Sequence, residues 1–217
     1  MRNFITILLF QAIILSHLFA QNVVDKDSEG NLFLLHNDGK KHTTLLYLSC
    51  TGGKEEDIDT ARVVFDSLNW NIAVCAKSKN HRDFALNEND ILNLVDELKN
   101  FPQVDGNSIV MYGFSGQGAQ ALGTALKFPL KFAGVITQCA HHGGIQNPDW
   151  QNAAGLAVLL VTRENDWNRQ SNEKMAQIFR QNELNVKLVI TEGKHGIGDA
   201  KELLEDCRIM KTMLSDN

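Results

Sequence analysis

One turn of the chain concentrates residues that could do covalent chemistry. Tyr112-Gly113-Phe114-Ser115-Gly116-Gln117-Gly118 sets a serine at the apex of a glycine-rich stretch. The apolar run Ser108-Ile-Val-Met-Tyr112 enters this turn, and a segment of small residues (Ala119, Ala121, Gly123, Ala125) leaves it. A strand turning sharply into a helix throws one side chain out at the carboxyl edge of a sheet. Glycines permit the strained backbone and the close approach of helix to strand. The helix start then presents N–H groups to any negative charge formed beside Ser115, with the Gly116 N–H as one oxyanion donor. A tight loop or a phosphate-holding turn is the alternative reading of the same residues. A serine hydroxyl is a weak nucleophile that needs a base, and the base needs an orienting acid. His195 stands in Thr191-Glu-Gly-Lys-His195-Gly-Ile-Gly198, just past the last apolar run, and two carboxylates, Glu164 and Asp166, follow the run before it.

The elements that must position these residues alternate along the chain. Short apolar runs occur at residues 32–35, 44–50, 71–75, 108–112, 134–139, 157–161 and 186–191. Most are continuous rather than alternating, which predicts strands covered on both faces, as in a parallel sheet. Amphipathic segments lie between them, over 57–68, 89–99, 172–181 and 199–213. The first places Ile58, Ala61, Val64, Phe65 and Leu68 on one face. Such alternation predicts a three-layer α/β/α sandwich with right-handed crossovers. Asn37-Asp38-Gly39, between the first two runs, reads as a hairpin that starts the sheet antiparallel.

With Gly113-Phe114-Ser115 and an Ala-rich helix on such a frame, the chain resembles the α/β-hydrolase superfamily. It is most similar to the small dienelactone-hydrolase and phospholipase/carboxylesterase-like serine esterases. The resemblance spans residues 21–217 in element order and implies a mostly parallel sheet without a cap domain. It also implies the chain order Ser, acid, His. Of the seven histidines, only His195 follows both Ser115 and Asp166. The resemblance therefore implies a Ser115–Asp166–His195 triad, with Glu164 as the competing acid. It places the second oxyanion donor at the Thr51 N–H, with Gly52 as the alternative. The sequence departs from the pattern at three places. Gln117 and Arg163 stand where glycine is usual, and Cys50-Thr51 where His-Gly is usual.

His141 and His142 follow the fifth run on the same edge and are candidate pocket residues, with Trp167 and Trp150. Adjacent histidines point apart, so no metal is expected from them with Cys139. Nor does the sequence call for any cofactor. The 217 residues carry a net charge of −5, which argues against a nucleic-acid partner. Met1-Arg2-Asn3, an apolar stretch and Ala20 form the pattern of a secretory signal over residues 1–20. Gln11, Ser16 and His17 make the stretch a poor stable membrane span. The remaining residues, 21–217, are expected to form one domain, secreted or periplasmic, as a monomer or weak dimer. Export would allow disulfides among the four cysteines, although three sit in apolar runs that suit buried thiols equally well.

These expectations converge on a secreted serine hydrolase that cleaves a small-molecule or polymer-attached carboxylic ester through an acyl-enzyme. A serine peptidase on the same fold is one alternative. A non-catalytic binding protein on a degenerate fold is the other.

Overall fold

The computed structural model describes residues 24–216. The expected export segment, residues 1–20, lies outside them. The strands are β1 (Val24–Lys26), β2 (Leu32–Leu34), β3 (His42–Leu48), β4 (Asn71–Val74), β5 (Val104–Phe114), β6 (Gly134–Gln138), β7 (Ala157–Asn165) and β8 (Asn185–Lys194). They form a single sheet in the order β1-β2-β4-β3-β5-β6-β7-β8. From β4 to β8 every neighbouring pair is parallel. The helices are α1 (Glu55–Leu68), α2 (Phe84–Leu98), α3 (Ser115–Lys127), α4 (Arg169–Gln181) and α5 (Ala200–Ser215).

The apolar runs are continuous because both sheet faces are covered. Along β3, Leu46 and Leu48 pack towards α2, α3 and α4, while Leu45 and Tyr47 pack towards α1 and α5. Along β5, Ile109 and Met111 face the first layer, and Val110 and Tyr112 the second. The expected three-layer α/β/α sandwich is thus the observed one. Local signals start the helices. The Asp83 side chain accepts from the Ala85 and Leu86 N–H groups at 2.8 and 3.2 Å, which starts α2 several residues before its apolar periodicity becomes visible. Asp199 caps α5 through the Glu202 N–H at 2.9 Å.

The expected hairpin at Asn37-Asp38-Gly39 is not formed. The sheet does begin antiparallel, but β2 pairs with β4, which lies between β2 and β3. The Asp38 carboxylate does hold a local turn, accepting from the Lys40 N–H at 3.0 Å, yet the chain continues across the sheet instead of returning alongside β2. The hairpin is one element earlier, between β1 and β2, where the Asp27 carboxylate accepts from the Asn31 N–H at 2.7 Å and Gly30 takes φ 90°. The β6–β7 connection holds two short 3-10 turns, His142–Gly144 and Trp150–Gly155, and no inserted domain. All four cysteines are free thiols, and Cys75, Cys139 and Cys207 are buried.

Candidate active site

The β5–α3 junction gives Ser115 its position. Phe114 ends the strand in extended backbone, and Ser115 opens the helix at φ 51°, a left-handed conformation uncommon for serine. Such strain persists only where the surroundings fix it. Here the fixing contact is close approach: a Cβ on Gly113 would lie 2.4 Å from the Gln117 carbonyl oxygen. The junction can therefore be this tight only with glycine at 113.

The carboxyl ends of β7 and β8 bring two further side chains to Ser115. His195 Nε2 lies 3.1 Å from Ser115 Oγ, and its Nδ1 lies 2.7 Å from Asp166 Oδ1. The Asp166 carboxylate also accepts from Thr162 Oγ1 at 2.7 Å and from the Asn168 N–H at 3.0 Å. Burial alone would push the Asp166 carboxyl up. The donors from Asn168, Thr162, His195 and Cys139 outweigh it and hold the group below the ordinary aspartate value. Glu164, the competing carboxylate, is exposed. Trp167 stacks on the imidazole, with ring centroids 3.8 Å apart and planes 16° apart.

Two of the positions that depart from the superfamily pattern, Arg163 and Gln117, have structural partners. Arg163 is almost fully buried and donates to both Glu202 carboxylate oxygens, at 2.5 and 2.8 Å, and to Thr191 Oγ1 at 2.7 Å. It ties the end of β7 to β8 and α5, the two elements that flank the His195 loop. Gln117 is buried and accepts from the equally buried Ser78 Oγ at 2.7 Å. The side chain that a glycine would lack is thus spent on the loop after β4.

That loop forms one wall of a cleft of about 340 Å³ at Ser115, lined by Lys79, Asn80, Arg82, Gly116, Gln120 and His141 among others. Thr51 is not in this lining and is exposed in the turn after β3. The alternative donor, the Gly52 N–H, is already spent on the Ser49 carbonyl at 3.2 Å. Asn80 does line the cleft. A Cβ on Gly116 would meet the Asn80 side-chain oxygen at 2.5 Å, and its amide nitrogen at 3.1 Å. Sequence reasoning missed Asn80; the available signal was that every loop leaving a parallel strand emerges at this same edge.

The two adjacent histidines do point apart. His141 lines the polar cleft, whereas His142 bonds Ser171 Oγ at 2.9 Å and borders a second cavity of about 300 Å³. This second cavity is apolar, with Ile145, Trp150, Met175, Ile178 and Phe179 in its walls. Burial, then the neighbouring His142, holds the His141 imidazole below its ordinary value. Among the described residues, one set of metal-type donors lies together: Cys139 Sγ, an Asp166 oxygen and a His195 nitrogen, within 4.8 Å of one another. The aspartate and histidine atoms of that set already bond each other, and the Cys139 thiol donates towards the Gly196 carbonyl at 3.7 Å. Burial pushes this thiol up to about 11. Among the described residues, no helix is long and apolar enough to cross a membrane.

No protein-family model and no curated protein matches the chain. Solved structures do. MGS-M1, an alpha/beta hydrolase enzyme from a Medee basin deep-sea metagenome library, superposes with a TM-score of 0.69 at 16% identity, over 89% of this chain and 98% of that one. An esterase of the archaeon Pyrobaculum calidifontis gives a TM-score of 0.68 at 13% identity, over 90% of this chain and 84% of that one. A dipeptidyl aminopeptidase IV candidate from Bacteroides ovatus gives 0.64 at 15% identity over 90% of this chain, which spans only 35% of that longer protein. These likenesses, with the strand order and layers described above, show that the chain has the α/β-hydrolase fold.

Proposed function

We propose that the protein is a serine hydrolase that cleaves carboxylic esters, with Ser115 as nucleophile, His195 as base and Asp166 as orienting acid. The observation that carries this reading is the pair of contacts on one imidazole, 3.1 Å to Ser115 Oγ and 2.7 Å to Asp166 Oδ1. In the first step His195 Nε2 takes the hydroxyl proton while Oγ attacks the ester carbonyl. The Gly116 N–H and the Asn80 side-chain amide receive the developing oxyanion, each worth about 3 kcal/mol. On collapse, the imidazolium returns its proton to the departing alkoxide, which leaves as the alcohol. Water, deprotonated by the same nitrogen, then releases the acid and restores Ser115. Asp166 stays ionised throughout and stabilises the imidazolium.

The chemistry is assigned to esters rather than peptides because the chain spans 84% of the Pyrobaculum calidifontis esterase and only 35% of the aminopeptidase candidate. Residues 1–20 are proposed to direct export, which would place the enzyme in a secreted or periplasmic compartment. A fluorophosphonate probe tests the reading on wild type, Ser115→Ala and His195→Ala. Labelling of wild type that both variants lose supports it, together with hydrolysis of 4-nitrophenyl butyrate in preference to a peptide anilide. A wild type that neither labels nor hydrolyses refutes it and favours a binding protein. Preferential cleavage of the anilide favours the peptidase.

A further inference from the structure

The loop after β4 is held more firmly than its exposed position requires. Asn87, buried on α2, clasps it from below, accepting from the Lys79 N–H at 3.3 Å and donating to the Lys79 carbonyl at 2.9 Å. Asn87 also accepts from Arg82 Nη1 at 2.9 Å. The Asn80 N–H donates to the Cys50 carbonyl at 3.0 Å, and the buried Ser78–Gln117 bond pins the start of the loop to the nucleophile helix. His81 is held at φ 59°, in the left-handed region. Buried amides and backbone strain together fix where Lys79, His81 and Arg82 stand.

The fixed loop is basic. Lys79 and Arg82 line the Ser115 cleft beside two imidazoles, His81 and His141, and no aspartate or glutamate does, in a chain whose net charge is −5. Asp90 lies 2.7 Å from Arg82 Nη1 and neutralises that guanidinium while fixing it. Asp83 is occupied as the cap of α2. Lys79, like most lysines of the chain, forms no ion pair among the described residues, and it is the one lysine in the lining of this cleft. The cleft is therefore lined by a lysine without an ion pair and by no competing acid.

We infer that the Ser115 cleft selects esters bearing an anionic group, a carboxylate or similar oxyanion a few bonds from the scissile carbonyl, with Lys79 as the residue that reads the charge. This rests on the serine-hydrolase reading and names its substrate class. The buried Gln117 gains a reason from it, because its bond to Ser78 holds the reading loop against the nucleophile. A preorganised loop loses little freedom when it meets the anion, so one ammonium counts for more than on a mobile surface.

The test uses the full chain and two pairs of esters. One pair puts the charge on the acyl side, 4-nitrophenyl hemiglutarate against its methyl ester. The other puts it on the leaving group, 3-carboxy-4-nitrophenyl pentanoate against 4-nitrophenyl pentanoate. Wild type is expected to favour the anionic member of one pair by about fivefold in kcat/KM, with the preference shrinking at high salt. Lys79→Glu should lower that ratio at least about tenfold, and Lys79→Arg should retain it. The pair that shows the preference tells which half of the substrate lies over the loop. If both pairs are hydrolysed without an anionic preference, or if Lys79→Glu leaves the ratio unchanged, the inference fails and the hydrolase reading stands. If nothing is hydrolysed, calorimetry with monomethyl glutarate and 5-hydroxy-2-nitrobenzoate on Ser115→Ala decides the question. Binding that Lys79→Glu abolishes upholds the anion site without the hydrolase, and absence of binding overturns it.

Discussion

On one side of Ser115, Asp166 and His195 are carried by the ends of β7 and β8, and their polar atoms bond one another at 2.7 and 3.1 Å. On the other side, Lys79 to Arg82 are carried by the loop leaving β4, and the bonds that hold that loop run backwards, into Asn87, Gln117 and Cys50. The first wall spends its hydrogen bonds inside the reacting group. The second spends them behind it, and Lys79 and Asn80 line the cleft. On the proposed reading the first wall moves protons and must couple its members, whereas the second receives a substrate and must leave a charge without a partner. This difference sets how mutations on the two sides should behave.

The largest effects belong to the proton-moving wall. Ser115→Ala and His195→Ala should each lower kcat by about 10⁴-fold or more, and the double variant should be little worse than either, because coupled members fail as a unit. Steady-state rates on an activated ester measure this. Additive losses would mean that the contacts on His195 do not act together. Next comes Asn80→Ala, on the receiving wall. Loss of an oxyanion donor should cost about 10²-fold in kcat with little change in KM. If Asn80 only braces its loop, the thermal midpoint will fall and kcat will not.

The two walls also differed in how far the sequence revealed them. Ser115, Asp166 and His195 stand out because their chemistry restricts which residue types serve, and because the chain order that the resemblance implies leaves one histidine after both partners. Strands and helices were legible from apolar runs and spacing, with α2 extended at its start by the Asp83 cap. The receiving wall was illegible because nothing local builds it. Gln117 and Arg163 looked like misplaced bulk until Ser78 and Glu202, each 39 residues away, came into view as their partners. The misplaced hairpin has the same cause. Asn37-Asp38-Gly39 makes a turn from its own residues, but the insertion of β4 beside β2 is a property of the whole sheet.

A smaller effect isolates that long-range bond. Gln117→Met keeps the volume but strands the buried Ser78 hydroxyl, and should destabilise the fold by about 1–3 kcal/mol in denaturant unfolding. Adding Ser78→Ala removes the stranded hydroxyl and should restore part of the loss. A double variant that is simply the sum of the two singles would mean the bond contributes nothing to holding the loop.

The smallest effect comes from a second aspartate beneath the proton-moving wall. Asp206 on α5 is as buried as Asp166, at 5% and 6% exposure, yet its carboxyl is pushed the other way, up to about 6. Burial is the first cause in both. Asp166 has four donors to offset it, whereas Asp206 has chiefly Gln138 Nε2, at 2.6 Å. Gln138 in turn accepts from Tyr112 and from the Gly198 N–H at 2.8 Å, so this network underlies the His195 loop. The two groups give opposite pH dependence. Asp166, with its folded value depressed, contributes stability above the ordinary aspartate value and loses it as pH falls through its lowered one. Asp206, with its folded value raised, contributes in full below the unfolded value of 3.8 and loses that contribution as pH rises through about 6. Above that, the fold carries a buried charge held by one amide. Asp206→Asn removes the charge and keeps an acceptor for Gln138, though a weaker one. The shift corresponds to about 3 kcal/mol, and loss of the charged acceptor offsets about 2 of it, so the net gain at pH 8 should be about 1 kcal/mol. Below pH 4 the gain should vanish. Unfolding curves at both pH values measure the difference, and a variant equally destabilised at both would mean that Asp206 is held in place as a charge rather than tolerated as one.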